Sequence, residues 1–229
     1  MGNRSPGEPP AATAAAPVIG TGRSLRIESL AGHDVPAAAA LLAASMRDNP
    51  LHRRVFGHDD ARLQPLLAGA FEALLRLRRD DGRVLVARNG AGIVGVVAMA
   101  PPGRCQPGLR FRLHMLGLLA RHGALGVAPR IARWLAVWKR NEPKIPHWHL
   151  GPAAVERSRQ GQGVGTQLMT AVCAELDRVG GAGYLETDKE ANVRLYARGG
   201  FRVIAQREVL GIHNWFMLRP PPARPPERA

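Results

Sequence analysis

The turn RQGQGVGT, residues 159–166, joins a strand-like segment to a helix-like segment. Its three alternate glycines let the backbone turn tightly and keep Cβ atoms out of the path of a ligand. The first N–H groups of the helix that follows have no acceptor within that helix, and they lie at the positive end of the helix dipole. The turn therefore predicts a binding site for a phosphate or diphosphate group.

Two common nucleotide-binding motifs do not fit this turn. A dinucleotide fingerprint that begins at Gly161 requires a glycine where the chain has Thr166. A Walker turn requires Gly-Lys-Ser/Thr, which the turn lacks. The residues instead follow the pattern Gln/Arg-x-x-Gly-x-Gly/Ala, with Gln160, Gly163 and Gly165 in its specified positions.

The apolar periodicity on either side of the turn predicts one α/β domain over residues 24–219. Alternation or buried apolar runs predict strands at 24–29, 84–88, 92–100, 147–155, 182–188, 201–209 and 213–218. Helical spacing predicts helices at 34–47, 60–79, 163–179 and 192–198. Pro65 suggests that the second helix begins one turn after Asp60. Residues 1–23 and 220–229 have the composition of disordered tails.

Residues 104–144 carry nine basic residues and one acidic residue. The apolar residues nevertheless keep helical spacing in two stripes, Leu113, Leu116 and Leu119 in the first and Ile131, Trp134, Leu135 and Trp138 in the second. We expect a basic helical insertion whose two amphipathic helices cover the sheet and turn their arginines to solvent. A lid that faces a substrate or phosphate group is an alternative, and a nucleic-acid surface is a third.

The chain as a whole has 32 basic and 18 acidic residues and a formal net charge of +14, which attracts anionic partners. Aromatic residues make up only 5% and no nucleic-acid motif is recognised, so no nucleic-acid partner is expected. Cys105 and Cys173 lie outside any C-x-x-C or Cys/His spacing, which argues against a disulfide framework and against a metal site. No apolar run reaches the ~18 residues of a membrane helix, which predicts a cytoplasmic protein without a membrane partner.

Four segments together carry a resemblance to a known family: the turn, HLGPAAV (149–155), LET (185–187) and NVRLYARGGF (192–201). They are similar to the GCN5-related N-acetyltransferase (GNAT) superfamily, in particular to the branch related to puromycin N-acetyltransferase. The resemblance covers roughly residues 24–218 and is strongest over 147–201. It implies the GNAT fold: an α/β (α+β) architecture with a mixed, mostly antiparallel sheet of six or seven strands, flanking helices and a helical insertion between the third and fourth strands.

The resemblance also implies acetyl-CoA as a cosubstrate, with no metal. The expected reaction is acetylation of a primary amine of a small molecule, by direct attack through a tetrahedral intermediate. The strand before the turn would pair with the pantetheine arm, and one of its backbone N–H groups would stabilise the oxyanion, although Pro152 has none to donate. The cofactor-binding positions are Ala153, Ala154, Val155, Gln160, Gly161, Gln162, Gly163, Val164, Gly165, Thr166 and Asn192.

Two residues are expected to carry the proton transfers. Tyr196 matches the family's tyrosine near the sulfur, which acts as a general acid, and a phenol keeps its proton at neutral pH. Glu186 is the preferred base, because it ends a buried strand where partial burial would make its carboxylate a stronger base. His147 and His149, which share a face of the preceding strand, and a water molecule are the alternatives.

Other interpretations of the same residues stay open. Asn192 could cap its helix, and Arg157 and Arg159, which flank the turn, could either reach the cofactor's phosphates or be solvated. The chain could also be a non-catalytic acyl-CoA-binding or regulatory module, or a protein N-acetyltransferase. Its sequence is compatible with a monomer or a homodimer.

Overall fold

The computed structural model describes residues 25–222. The tail expected at 1–23 and most of the tail expected at 220–229 lie outside these residues. The described strands are β1 (Arg26–Ser29), β2 (Arg83–Asn89), β3 (Gly92–Ala100), β4 (His147–Val155), β5 (Ala182–Thr187), β6 (Arg202–Val209) and β7 (Ile212–Arg219). The described α-helices are α1 (Val35–Met46), α2 (Pro50–Phe56), α3 (Asp60–Asp81), α4 (Leu109–Arg121), α5 (Ala128–Asn141), α6 (Val164–Arg178) and α7 (Glu190–Arg198). None of these helices is long and apolar enough to cross a lipid bilayer.

The seven strands form one sheet in the order β1-β2-β3-β4-β5-β7-β6. Every neighbouring pair is antiparallel except β4 and β5, which are parallel. The helices α4 and α5 follow β3 and precede β4. The mixed, mostly antiparallel sheet and the helical insertion between the third and fourth strands are therefore confirmed.

Helices cover the two faces of the sheet and enclose separate hydrophobic cores. On one face α1 and α3 pack against β2 and β3, and Leu42, Leu75 and Val86 are fully buried there. On the other face α6 packs against β2, β3 and β4 and buries Val172 and Leu176. We call these two sides of the sheet the α1 face and the α6 face.

The helix α2 was not predicted from the apolar spacing. It begins where the Asn49 side chain accepts a hydrogen bond from the His52 N–H, and Pro50 occupies its first turn. Leu51 and Val55 are buried in a small core at this end of the molecule. The pair Asn49-Pro50 is a helix-start signal in its own right, although the helix is too short for periodicity to reveal.

The helix α3 begins at Asp60 and contains Pro65, so the expectation of a later start was wrong. The Asp59 side chain accepts a hydrogen bond from the Arg62 N–H at 3.3 Å and caps the first turn. The proline costs the helix the one bond that its missing N–H would have made. Leu63, two residues earlier, is buried in the core of the α1 face.

The insertion covers less of the sheet than expected. The helix α4 packs on α3, where Leu119 contacts Leu66, whereas Leu113 and Leu116 are 59% and 48% exposed. The prediction that the apolar stripe of α4 faces the core is therefore wrong. The helix α5 packs on α2 and on the β6–β7 end of the sheet. All nine basic residues of the segment are exposed, as expected.

Candidate active site

The strands β4 and β5 are paired only at the start of β4. The parallel ladder joins His147, Trp148 and His149 of β4 to Ala182, Gly183 and Tyr184 of β5. Beyond these residues β4 continues beside β3, and β5 continues beside β7. The two strands therefore separate and leave a gap in the middle of the sheet. Backbone groups along such a gap can pair with an extended ligand as a neighbouring strand would.

The last part of β4 lines this gap. Its register against β3 shifts at Gly151 and Pro152, which form a bulge. After the bulge Ala153 and Val155 face the α6 face, and Ala154 faces the α1 face. The three residues expected to contact the pantetheine arm thus lie on the strand segment that leaves β5.

The glycine turn leads into α6 beside the end of β4. Gly161 and Gly163 have φ values of 75° and 83°, in the left-handed region that favours glycine, and the space that a Cβ would enter is open. The first bond from the helix back to the turn runs from the Gln167 N–H to the Gly163 carbonyl. The N–H groups of residues 164–166 therefore point out of the helix N-terminus, as an anion-binding site requires.

Other residues of the turn hold it in position. Gly165 lies inside α6, and a Cβ there would lie 3.4 Å from Cδ2 of Leu195 on α7. Gln160 Nε2 donates a hydrogen bond to the Val155 carbonyl at 3.1 Å, and Gln162 Nε2 donates to a carbonyl four residues earlier at 2.8 Å. Backbone conformation therefore requires only two of the three glycines, and both glutamines tie the turn to the chain that precedes it.

The side chain of Asn192 is held between α7 and β5. Its Nδ2 donates a hydrogen bond to Oγ1 of Thr187 at 3.1 Å. The helix α7 begins at Glu190, so Asn192 is not its cap and that alternative was wrong.

Tyr196 lies on α7 and packs on the core of the α6 face. Its ring meets the ring of Phe201 edge-on, with 6.3 Å between the centroids. Burial, together with the nearby Asp188 carboxylate, raises the pKa of Tyr196 to about 12. The phenol is therefore protonated at neutral pH, as a general acid must be.

Glu186 lies on the α1 face, where only 3% of its side chain is exposed. Its Oε2 accepts a hydrogen bond from His149 Nε2 at 2.8 Å. Burial disfavours the charged form of His149, but the Glu186 carboxylate and the Cys105 thiol outweigh it and raise the pKa of His149. Glu186 and His149, proposed from the sequence as alternative bases, thus form one buried pair.

Tyr184 was not singled out from the sequence, although it lies beside this pair. Its side chain is fully buried, and its hydroxyl lies close to Glu186 but meets the geometry of a hydrogen bond with no residue among 25–222. Burial and the Glu186 carboxylate raise the pKa of Tyr184, so the hydroxyl remains a hydrogen-bond donor. A buried polar group without a partner is costly in a folded protein and often marks a ligand or water position.

Glu186 and Tyr196 approach the gap from opposite faces of the sheet. Side chains alternate along β5, so Tyr184 and Glu186 lie on the α1 face, whereas Thr187 lies on the α6 face with Asn192. The structure therefore does not bring the expected acid and base into contact. It places them on opposite faces of the sheet.

His147 makes contacts of its own. Its Nε2 lies 3.4 Å from Cys105 Sγ and 3.4 Å from Glu142 Oε1. Burial acts to raise the pKa of the Cys105 thiol, and hydrogen bonds from His147 and His149 act to lower it. The hydrogen bonds have the larger combined effect, so the pKa of the thiol is lowered. Burial also disfavours the charged form of His147, but the Cys105 thiol and the Ile145 carbonyl raise its pKa.

Asp188 is a second residue whose role no sequence pattern predicted. Its carboxylate accepts hydrogen bonds from Asn49 Nδ2 at 2.7 Å and from the Leu51 N–H at 3.0 Å. Asp188 therefore fixes the start of α2 against the end of β5, close to Tyr196. Because Asn49 and Asp188 are 139 residues apart in the chain, no local pattern could have indicated this contact.

The two arginines that flank the turn differ in their contacts. Arg157 forms an ion pair with Asp48 in the connection between α1 and α2. Arg159 is half-buried in the turn and has no ion pair among residues 25–222. Of the two, Arg157 is therefore the one already paired with a carboxylate.

Two surface grooves lie beside these elements. A groove of about 400 Å³ runs between α6 and α7 from Thr166 to Asp177, with Arg198 on its wall. A groove of about 570 Å³ lies between α2, α5 and the β6–β7 hairpin and is lined by arginines, namely Arg54, Arg130 and Arg133. The first groove continues from the glycine turn, whereas the second is lined by none of the residues around the gap.

Known proteins share this sequence pattern and this fold. The profile of the acetyltransferase (GNAT) family matches residues 45–201. A Corynebacterium glutamicum structure described as histone acetyltransferase HPA2 and related acetyltransferase is 24% identical, with a TM-score of 0.63 over 89% of this chain and 99% of that chain. The yncA protein of Salmonella typhimurium, solved with its cofactor acetyl-CoA, is 16% identical, with a TM-score of 0.55 over 90% and 99% of the two chains. Polyamine N-acetyltransferase of Drosophila melanogaster, which forms N-acetylagmatine, is 17% identical, with a TM-score of 0.56 over 85% and 98%. Since the family profile spans well over half of the 229 residues, this chain belongs to the acetyltransferase (GNAT) family.

Proposed function

We propose that this chain transfers the acetyl group of acetyl-CoA to a primary amine of a small molecule. The observation that carries the proposal is the gap between β4 and β5, which has an anion-binding helix N-terminus on its α6 face and a buried carboxylate on its α1 face. Acetyl-CoA would supply a thioester, whose acetyl carbon is activated toward an amine. The yncA protein, which has a similar fold, was solved with this cofactor.

The residues around the gap fit acetyl-CoA. The free N–H groups at the start of α6 would bind the diphosphate, and the open space around Gly161 and Gly163 leaves room for it. The edge of β4 that leaves β5 at residues 153–155 would bind the amides of the pantetheine arm, as one strand binds another, although the Val155 carbonyl already accepts a hydrogen bond from Gln160. Asn192, tied to Thr187, would add a hydrogen bond from α7.

Each face of the gap would handle one proton. On the α6 face Tyr196 holds a proton that a departing thiolate can take. On the α1 face Glu186 accepts the proton that the amine loses, and His149 holds the carboxylate in place through its 2.8 Å hydrogen bond. The unpartnered hydroxyl of Tyr184 lies beside this pair and would hydrogen-bond the amine or a water molecule that replaces it.

The α1 face favours a small acceptor over an extended polypeptide. Helices α2 and α5 pack over the β5–β7 side of the sheet on this face, where Trp138 Nε1 donates to Asn214 Oδ1 at 3.2 Å. An acceptor must therefore enter beside these helices rather than lie across the strands. The polyamine enzyme shares this fold, which supports a small amine, whereas the relative described as a histone acetyltransferase supports the alternative of a protein acceptor.

Two measurements on the full chain test the proposal. Titration calorimetry with acetyl-CoA reports binding, and release of free thiol across a panel of diamines, amino acids and a peptide with a free N-terminus reports transfer. We expect binding, together with faster thiol release with a small amine than with the peptide. Preference for the peptide would support a protein acceptor, and binding without transfer to any amine would support a non-catalytic module.

The variant Glu186→Gln tests the assigned base. General acid–base groups contribute ~100-fold or more to turnover, so we expect a loss of that order in kcat with little change in acetyl-CoA affinity. Glu72→Gln on α3 is the matched control, because Glu72 pairs with Arg76 on the surface, away from the gap. Equal turnover of Glu186→Gln and the control would remove Glu186 from the reaction.

A further inference from the structure

Three potential metal ligands from distant parts of the chain meet at the base of the insertion. Cys105 and His147 are 42 residues apart, yet Sγ of the first lies 3.4 Å from Nε2 of the second. Glu142 Oε1 lies 3.4 Å from the same nitrogen, and the three ligand atoms all lie within 4.8 Å of one another. Cys105 and His147 are buried, whereas the Glu142 side chain is 21% exposed.

These separations match those of ligands around one tetrahedral ion. Zinc lies about 2.3 Å from a cysteine sulfur and about 2.0 Å from a histidine nitrogen or a carboxylate oxygen. Neighbouring ligand atoms on a tetrahedron of that size are about 3.3–3.6 Å apart. Both contacts to His147 Nε2 fall within this range, and the third pair, Cys105 Sγ and Glu142 Oε1, lies within 4.8 Å, so an ion would draw these two side chains toward His147.

The hydrogen bonding of His147 leaves the required nitrogen available. Its Nδ1 lies 2.7 Å from the Ile145 carbonyl, which can only accept, so Nδ1 must carry the proton. Nε2, which faces Cys105 and Glu142, is then the nitrogen at which a bound ion would replace a proton, as in metal-binding histidines that donate their other N–H to a carbonyl. A nucleophilic triad would instead place the carboxylate on Nδ1, opposite the thiol. Here thiol and carboxylate converge on one nitrogen, which favours a metal site.

Other contacts hold the backbone of two of the three ligand residues. The carbonyl of Cys105 accepts a hydrogen bond from Arg78 Nη2 at 3.1 Å, and the Arg78 side chain is itself buried and paired with Asp81. His147 begins β4 and is held by the ladder to β5. A site with ligands on a fixed backbone loses little conformational entropy when it binds a metal.

We propose that Cys105, Glu142 and His147 form a zinc site that joins the two ends of the insertion. Sulfur, imidazole and carboxylate ligands together suit Zn²⁺ better than Ca²⁺ or Mg²⁺, which prefer oxygen. Solvent reaches the cluster from the side of Glu142 and can supply the fourth ligand. Such a link closes a loop of about forty residues, and long loops are those that a cross-link stabilises most.

Zinc binding to the full chain tests the proposal directly. Untagged protein, stripped with a chelator and kept reduced with a phosphine, is titrated with Zn²⁺ against a chromophoric chelator. We expect one Zn²⁺ per chain. Because loss of an outer hydrogen-bond partner already weakens metal sites tenfold or more, Cys105→Ser and Glu142→Gln should each weaken binding by at least ~10-fold.

Cys173→Ser is the matched control, since Cys173 is the other cysteine and lies on the α6 face beside Gly199. Its affinity for zinc should equal that of the unaltered chain. No zinc binding by the unaltered chain, or equal loss in Cys105→Ser and Cys173→Ser, would overturn the proposal. The readout is independent of acetyl transfer, so a failure of the proposed function leaves this result unaffected.

Two further readouts separate this site from surface binding. Co²⁺ bound to Cys105 should produce a sulfur-to-metal charge-transfer band and the intense visible bands of tetrahedral coordination, both absent in Cys105→Ser. Zinc should also slow tryptic cleavage within residues 104–144, whose basic residues are all exposed, in the unaltered chain but not in Cys105→Ser. A cobalt spectrum without the sulfur band would show that Cys105 is not a ligand.

Discussion

The chain has two tyrosines, Tyr184 and Tyr196, and they lie on opposite faces of the sheet. Tyr196→Phe keeps the ring contact with Phe201 but removes the proton assigned to the leaving thiolate. We expect kcat to fall ~100-fold while acetyl-CoA affinity changes little, because the lost group acts mainly in the transition state. Steady-state kinetics and calorimetry measure the two quantities.

Tyr184→Phe provides the comparison for this prediction. Its hydroxyl has no partner among the described residues, so its loss should cost little stability, and it should raise the KM for the amine rather than lower kcat. If Tyr196→Phe leaves kcat intact, the general acid is another group. If both variants change only the KM for the amine, the division of roles between the two faces is wrong.

The lowered pKa of His52 predicts a loss of stability in mild acid. Burial, with Lys189 nearby, lowers the pKa of His52 to about 4, whereas the unfolded chain takes up that proton near pH 6.5. Between pH 6.5 and about pH 4 the unfolded chain binds more protons at His52 than the folded chain does. The free energy of unfolding is therefore highest above the unfolded pKa and falls as the pH drops toward the folded pKa. We expect His52 to contribute a loss of about 1–2 kcal/mol in the free energy of unfolding between neutral pH and about pH 5, with allowance for the partial exposure of the ring, while His147 and His149, whose pKa values are raised, contribute in the opposite direction.

Urea unfolding at the two pH values measures this loss. His52→Phe keeps the ring contacts with Phe56 and Trp134 and removes the titrating group, so its loss of stability over the same range should be smaller than that of the unaltered chain. His114→Phe on the exposed side of α4 should leave the loss unchanged. Identical pH profiles for all three proteins would show that His52 does not titrate differently on folding.

At the scale of elements, the glycine turn and the start of α6 form one unit, in which Gly163 and Gly165 have different backbone requirements. Gly163→Ala forces an L-residue to φ of 83°, which costs about 1 kcal/mol or more and turns the helix N–H groups away from a bound diphosphate. Gly165→Ala lies within the helix, where a Cβ meets Leu195 at 3.4 Å, so its effect on stability should stay within about 0.5 kcal/mol. Urea unfolding and calorimetry with acetyl-CoA on both variants check these values, and equal destabilisation would show that the turn changes its conformation.

The elements themselves follow from the sequence to different extents. Strand β3 is an unbroken apolar run, and α6 carries its core residues at helical spacing, so both were predicted from local pattern. The spacing of Leu113 and Leu116 correctly indicated a helix. It did not indicate which element packs against that helix, because an amphipathic pattern does not specify the packing partner. The short α2 escaped detection because seven residues hold fewer than two periods.

At the scale of the whole molecule, the candidate site arises from contacts between distant segments. The pattern of the glycine turn is local and could be read from the sequence, whereas His149 and Glu186 are 37 residues apart. Their contact follows from the parallel register of β4 and β5, which no single segment encodes. The separation of these strands has the same origin, since β4 follows β3 and β5 follows β7 beyond the shared ladder.

This topology predicts that acceptor and cofactor binding can be altered separately. Trp138 on α5 packs on Trp134 and donates to Asn214 on the α1 face, whereas Leu195 on α7 lies against Gly165 on the α6 face. Trp138→Ala should lower kcat/KM for the amine about tenfold and leave acetyl-CoA affinity unchanged, because it loosens only the insertion. Leu195→Ala should weaken acetyl-CoA binding and leave kcat/KM for the amine unchanged, because it removes the contact between α7 and the start of α6. Kinetics and calorimetry compare the two variants at a temperature where circular dichroism shows that both are folded. Trp138→Phe is a milder form of the first variant. If each variant impairs both ligands equally, the two faces are coupled through the sheet and do not act as separate binding surfaces.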